Sequence, residues 1–445
     1  VLAVSFIGAL MAIGELAGVE DRLRDVERWL EPTGGGADGA LTPPVGTVVV
    51  DEGEFRRLPG VVEMYRAALA LVRGDASATI GHARQAIDRA AAEDDLTRAG
   101  ASALLGLAFL GGGDLEVAHR AYAAAADGLR RAGYLADVLG CSITLADIRI
   151  TQGRLGEALR TFEQALRLAS SQDGTVLRGT ADMYTGMSQI AYERNDLPAA
   201  RQQLLCAREL GEQTWLPQNP YRWRVAMARV REAEGDLAGA LDLLDEAQRV
   251  YLGDFSPNVR PIPALRARVL VAQGRVADAL AWAREQGLSA TDDLSYLREF
   301  EHVTLARVLA ARSRAQRSAA PADDAARLLR RLLEAAEAGE RTGSVIEILV
   351  LQALTHDARG DVPAALARAG RAPAALLRPR RPRHRPRAHG LPEHPANAHQ
   401  EHLRQARRQQ PPSRGTPGGG AQPAVAHPRP LTSAELDRRA GDANP

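Results

Sequence analysis

Lysine is missing from all 445 residues, so every basic side chain is arginine. That excludes a GxxxxGK[ST] phosphate loop and leaves nucleotide hydrolysis without a seat in this chain. Arginine codons are also GC-richer than lysine codons, so GC-rich coding accounts for the bias. Aromatic residues make up only 4% of the sequence. Two cysteines, Cys141 and Cys206, lie inside apolar helical patterns, which excludes a disulfide framework and fits a reducing cytoplasm. No apolar run is long enough for a membrane span: the opening VLAVSFIGALMAIGEL reaches Glu15 too soon, and it lacks the basic leader of a signal peptide. An initial Val1 fits either a GTG start or the cut edge of a longer chain. Neither HExxH, CxxC nor GxSxG occurs, and His82, His119, His302 and His356 stand far apart. We therefore expect no enzyme, no catalytic residue and no metal site.

Net charge is close to zero, at +1, which gives no global signal for nucleic acid or membrane. The average hides an asymmetry. From Arg371 onward there are fourteen Arg against five Asp or Glu, so the preceding part is moderately acidic. This tail also holds about half of the prolines and six of the ten histidines. Such a segment cannot bury enough surface to offset its chain entropy, so residues 371–445 are expected to be disordered. His384, His389, His394 and His399 recur every five residues without supporting carboxylates and read as solvated.

What is present is a beat. Gly-Asp/Arg-Leu-x-x-Ala recurs as GDLEVA at Gly113, GRLGEA at Gly153, NDLPAA at Asn195, GDLAGA at Gly235 and GRVADA at Gly274, about 40 residues apart. Looser copies are GELAGV at Gly14, GDASAT at Gly74 and GDVPAA at Gly360; a diverged copy with Pro321 and Ala322 in place of the glycine turn fills the last gap. Each copy reads as helix, tight turn, helix. The glycine, or Asn195, supplies a left-handed residue that closes the first helix, and the following Asp caps the second. A small residue then lets the pair approach, and a large one packs four positions on, as with Ala158 and Phe162. Strand signals are nearly absent, and Val45–Phe55 reads as a loop after the Gly/Pro-rich segment at 31–44. One hairpin cannot bury its apolar face alone, so the expected fold is all-α: a right-handed superhelical solenoid of tetratricopeptide-like helix pairs over residues 1–370.

Several segments resemble a known family: RGTADMYTGMSQIAYERNDLPAA, ELGEQTWLPQNPYRWRVAMARVREAEGDL, DFSPNVRP, DDLSYLREFEHVTLARVLAARS and RTGSVIEILVLQAL. In this order they are similar to the repeat region of the large ATP-dependent LuxR-type transcription activators of the maltose-regulator class, from about Val1 to Arg368. The resemblance implies a three-part switch of P-loop ATPase, helical repeat sensor and helix-turn-helix DNA reader. The sensor would take a small-molecule inducer or a regulatory protein and pass that event to the ATPase domain. The chain departs from the pattern at both ends. ATP is expected only in the missing upstream domain, with no cofactor in this chain. The Pro/Arg/His tail stands where the DNA reader belongs and reads as an out-of-frame translation, so no direct DNA binding is expected.

Counting back from Gly235 puts Arg222 and Arg229 on the face that tetratricopeptide arrays turn to their concave groove, with Trp223 and Met227 toward the partner helix. Trp223 is read as packing. A guanidinium in the groove can clamp a carboxylate or phosphate, or simply be solvated. The same count adds Asp182, Thr185, Gln189, Arg268, Arg298, Glu299 and His302, and places Asn219 and Tyr221 on the groove's rim in the loop LPQNPY. These eleven residues are the expected effector or partner site. The alternative is a stand-alone scaffold that holds a peptide or protein in the same groove.

Overall fold

The computed structural model describes residues 2–12, 15–30, 48–170, 176–253, 256–316 and 318–371. The tail from 372, with its histidine row, and Gly14 lie outside them. The chain divides into two compact units, one of which contains the amino-terminal residues through Val26 and the other residues 27–387. In the first lies α1 (Leu2–Ala12), where Arg22 stacks over Phe6; α2 (Val19–Arg28) begins there and runs across the division.

The larger unit holds eight helix pairs among the described residues. They are α3 (Glu52–Val72) with α4 (Ala76–Arg89), α5 (Asp95–Gly112) with α6 (Leu115–Arg131), α7 (Leu135–Thr151) with α8 (Leu155–Ser170), and α9 (Thr180–Glu193) with α10 (Leu197–Glu209). Next come α11 (Asn219–Ala233) with α12 (Leu237–Arg249), α13 (Ile262–Ala272) with α14 (Val276–Glu285), α15 (Glu299–Gln316) with α16 (Ala319–Ala338), and α17 (Thr342–Ala358) with α18 (Val362–Arg371). First helices pack on the first helices of neighbouring pairs, as α9 does on α7 and α11, while second helices lie outside them. The result is an all-α superhelical solenoid of tetratricopeptide-like pairs, with no strand among the described residues.

The recurring phrase does the work its residue types allow. Gly74, Gly113, Gly153, Gly235, Gly274 and Gly360 all adopt φ between 74° and 90°, and Asn195 does the same at 57°. This is the left-handed conformation that ends a helix within one residue. The next residue caps the second helix: Asp75, Asp114, Asp196, Asp236 and Asp361 each accept a backbone N–H three positions on, at 2.9–3.2 Å. The alanine five positions after the turn, at 118, 158, 200, 240 and 279, is fully buried every time. Tyr122, Phe162, Leu204 and Leu244, four residues later, fill the space that approach creates.

Two local expectations differ from the structure. Helix α3 starts at Glu52, capped by Asp51, so the end of the expected loop is helical because that carboxylate satisfies the Glu54 N–H. Pro321 does not form a turn; it sits in the first turn of α16, where its missing N–H costs no helical hydrogen bond.

The longest inter-pair connections explain why these units exceed the ordinary 34-residue repeat. They do not stay at the surface. Ser256, between α12 and α13, meets Thr144 of α7 at 2.9 Å, and the 3₁₀ turn Tyr296–Arg298 lies on α5, with Tyr296 against Gly113. Helix α17 touches α7, where Gly343 approaches the carbonyl of Thr151. Distant pairs therefore meet, and the inner surface is enclosed.

Packing at the pair contact generates a prediction. A Cβ added at Gly186 of α9 would fall 2.1 Å from Cζ of the fully buried Phe162. Gly186→Ala is therefore expected to destabilise by roughly 1–3 kcal/mol through overpacking. Gly235→Ala, with open space around it, should cost only the left-handed penalty of about 1 kcal/mol. Urea denaturation checks both; equal midpoints for Gly186→Ala and the parent would contradict the packing described here.

Candidate functional site

Charged side chains from five successive first helices meet on the inner surface. On α9, Tyr192 and Glu193 face Arg229 of α11, whose guanidinium stacks 4.1 Å above the Tyr192 ring and donates to Glu193 at 2.7 Å. On α13, Arg268 stacks 3.7 Å above Phe300 of α15 and donates through Nε to Thr304 at 2.8 Å. Its Nη1 lies 2.7 Å from Glu347 of α17, and Arg307 of α15 donates to the same carboxylate oxygen at 2.8 Å. Aromatic faces hold both Arg229 and Arg268 in place by cation–π attraction.

Burial and charge compete here. Burial raises the Glu347 carboxyl, but the charges of Arg268 and Arg307, with the Arg307 hydrogen bond, outweigh it and hold the group at about 2. Burial lowers Arg268 to about 10 against the opposing charge of Glu347. Glu232, one turn beyond Arg229 on α11, goes the other way. Burial pushes its carboxyl upward despite Arg229, Arg268 and Arg307 nearby. Two donors in the cluster, Arg268 Nη2 and Arg307 Nε, are buried and lack a hydrogen-bond acceptor. The arrangement can therefore receive an anionic oxygen at Arg268 and a hydrogen bond at Glu232.

The eleven expected residues divide by burial. Arg229 and Arg268 belong to the inner cluster. Gln189 and Arg222 are half-buried on the same first helices, Arg222 at 3.9 Å from Asp182. Asp182, Thr185 and Asn219 are instead sealed in the joint between α9 and α11. Thr185 donates to the Asn219 side-chain carbonyl at 3.0 Å, and Asp182 accepts the Leu216 N–H at 2.9 Å. Asn219 is thus not on a rim: it is fully buried as the first residue of α11. Tyr221 packs edge-on against Tyr251, with ring centroids 4.9 Å apart. Arg298 and His302 anchor the connection before α15, and Glu299 ties the start of α15 to the start of α17. Arg298 bonds Glu301 and the Gln286 carbonyl, His302 bridges Asp292 and the Arg298 carbonyl, and Glu299 forms a buried pair with Arg341 at 2.6 Å. Trp223 is packing, as expected, its indole N–H donating to the Leu204 carbonyl at 2.8 Å.

Tyr192, Glu193, Phe300, Arg307 and Glu347 complete the cluster without standing among the eleven expected residues. A signal existed for the aromatics, since Tyr192 and Phe300 stand out in an aromatic-poor chain. None existed for Glu347, which is brought to Arg268 only by the superhelix.

A family model described as the MalT-like TPR region matches residues 60–372. The chain belongs to this family. None of the curated proteins compared matches the chain. Among solved structures, a Rap protein complexed with Competence and Sporulation Factor is similar over 84% of this chain and 97% of that one, at 11% identity and a TM-score of 0.55. The apo quorum sensor NprR from B. thuringiensis is 13% identical over 84% and 86% of the two chains, with a TM-score of 0.42. A tetratricopeptide repeat protein from Parabacteroides merdae is 14% identical over 67% and 98%, with a TM-score of 0.39. At 11% identity the likeness to the Rap structure is one of fold. The MalT-like TPR region seen here is a helical repeat scaffold, and no helix among its described residues is long and apolar enough to cross a membrane.

Its central carboxylate generates a pH prediction. Glu347 has a folded value of about 2 against an ordinary 4.5. Its contribution to stability is complete above 4.5 and is lost as the pH falls from there toward 2. Glu347→Gln should lower stability at neutral pH and flatten the acid limb of the stability profile in that window. An acid limb of unchanged slope in this variant would contradict the role assigned to Glu347.

Proposed function

We propose that this chain is the signal-receiving repeat region of a LuxR-type transcriptional regulator. Its enclosed inner surface takes an effector, which is a small-molecule inducer, a peptide or a segment of a regulatory protein. The observation that carries the reading is Glu232. It is an ionisable group on the inner wall, with no ion-pair partner within 4 Å among the described residues and with burial opposing its charge. A packed interior gains nothing from such a group, whereas a ligand donor gains a partner there. The unsatisfied donors of Arg268 and Arg307 on the facing helices supply the complementary half. Membership of the family supports the regulatory context. The similar Rap structure holds Competence and Sporulation Factor, which supports an effector in a superhelix of this kind.

In this reading Gln189, Arg222, Arg229, Glu232 and Arg268 contact the effector, while Asp182, Thr185, Asn219, Arg298, Glu299 and His302 hold the wall that carries them. Nucleotide hydrolysis and DNA reading belong to other parts of the regulator, and the chain needs no cofactor for reception. An in-frame P-loop domain encoded upstream of Val1 is the expected genetic context.

The test is a thermal-shift and calorimetric screen of the full chain against oligosaccharides, nucleotides and short peptides. At least one compound is expected to bind saturably, and Glu232→Gln to weaken it about tenfold, the worth of one charged hydrogen bond. The raised Glu232 carboxyl costs stability above its ordinary titration range, so the same variant should melt at or above the parent temperature. Affinities unchanged in Glu232→Gln and Gln189→Ala, with both proteins folded, would remove the inner wall as the receiving surface.

A further inference from the structure

The segment Ser256-Pro257-Asn258-Val259-Arg260-Pro261, which leads into α13, is pinned along its length. Ser256 meets Thr144 of α7 at 2.9 Å, and the Asn258 amide donates to the Tyr251 hydroxyl at 3.1 Å. Pro257 and Pro261 restrict the backbone, and Pro261 stands at the cap of α13. Arg260 is the exception among its polar side chains. It is exposed and makes no ion pair or hydrogen bond among the described residues. Its guanidinium carbon lies over the Phe300 ring, 5.9 Å from the centroid.

That position puts Arg260 into the charged cluster of the inner wall. Arg268 stacks on the same ring at 3.7 Å, so two guanidinium groups share one aromatic side chain. The charge of Arg260 also acts on Glu193 of α9 and on Glu347 of α17. Positive charge is under-compensated here. Glu347 alone serves both Arg268 and Arg307. Burial and the charges of Arg307, Arg260 and Arg229 lower Arg268 to about 10 despite Glu347. Across the wall Arg229, Arg260, Arg268 and Arg307 face Glu193, Glu232 and Glu347, four positive groups against three negative. The bordering pairs Arg222–Asp182 and Arg341–Glu299 add one of each sign and leave that surplus unchanged.

An unpartnered guanidinium on a pinned segment is ordered before a ligand arrives, and its planar fork fits a planar anion. A surplus of one charge matches a carboxylate. A phosphate monoester carries about −1.5 to −2 at neutral pH and would meet Glu232 and Glu347 on the same wall with charge left unanswered. We propose that the effector is a carboxylate and that Arg260 is the residue that selects it. The inference rests on the inner wall being the receiving surface and names the chemistry received there.

Isothermal titration of the full chain tests this with matched acids and neutral analogues, gluconate against glucose and benzoate against benzamide, with phenyl phosphate as the dianion. At least one acid is expected to bind saturably, and its neutral analogue roughly tenfold more weakly, the worth of one charge-assisted hydrogen bond. Arg260→Ala should remove that difference by weakening the acid alone. Arg260→Lys, which retains charge without the fork, should keep part of it. Arg260 is exposed and unpaired, so both variants should keep the parent melting temperature. Arg266→Ala, at an exposed arginine paired with Asp245 of α12, should leave the preference intact. Neutral analogues that bind as tightly as their acids, with Glu232→Gln weakening both, would keep the wall as the receiving surface and overturn the selection of a carboxylate. Phenyl phosphate bound as tightly as benzoate overturns that selection too, as does an acid preference that survives Arg260→Ala. No saturable binding by either acid overturns the proposal.

Discussion

The architecture depends on one close contact repeated along the chain, in which an alanine five residues after a left-handed turn lets two helices approach. Ala118, Ala158, Ala200, Ala240 and Ala279 have no exposed surface, and each is followed by a buried larger side chain or, after Ala279, by Ala283. A larger residue would push the two helices apart, and the error would pass to every later pair because each stacks on the one before it. Close pairs stack tightly, tight stacking curves the array, and curvature brings α17 onto α7 and the turn at Tyr296 onto α5. The enclosed inner surface is therefore a consequence of small side chains far from it.

That enclosure decides which charges matter. Glu347 and Arg268 are joined only because α13 and α17 share the inside of the curve, and Arg307 from the intervening pair completes the set. Salt bridges with little exposure contribute less to stability than their geometry suggests, since desolvation offsets much of their attraction. Their effect here is on position. The aromatic rings of Tyr192 and Phe300 and the carboxylates of Glu193 and Glu347 fix two guanidinium groups, while Glu232 lies in their field with no ion pair within 4 Å among the described residues.

Much of the scaffold was legible from residue order alone. The turn glycines, the aspartate caps, the buried alanines and the packing of Trp223 all follow from local chemistry within a few positions. The site was less legible, for a geometric reason. Helical phase identifies inward positions, and Arg229 and Arg268 do lie in the inner charged cluster. It also pointed to Asn219, Glu299 and His302, which are taken up by Thr185 of α9, by Arg341 before α17 and by Asp292 of the connection before α15. Partners such as Glu347 depend on curvature accumulated over several pairs, which no single stretch encodes. The boundary errors at Glu52 and Pro321 are smaller, one from an unrecognised cap and one from a proline tolerated in a first turn.

The proposed receiving role of the inner wall depends on closure of the superhelix, and the contact of Thr144 with Ser256 reports that closure directly. In a background with Cys141 and Cys206 replaced by alanine, Thr144→Cys and Ser256→Cys are expected to form an intramolecular disulfide under mild oxidation. Their parent hydroxyl oxygens lie 2.9 Å apart, and helix content should be unchanged. A folded double variant that stays reduced, or links only between molecules, would mean that the array is open in solution and that the enclosed wall does not exist there.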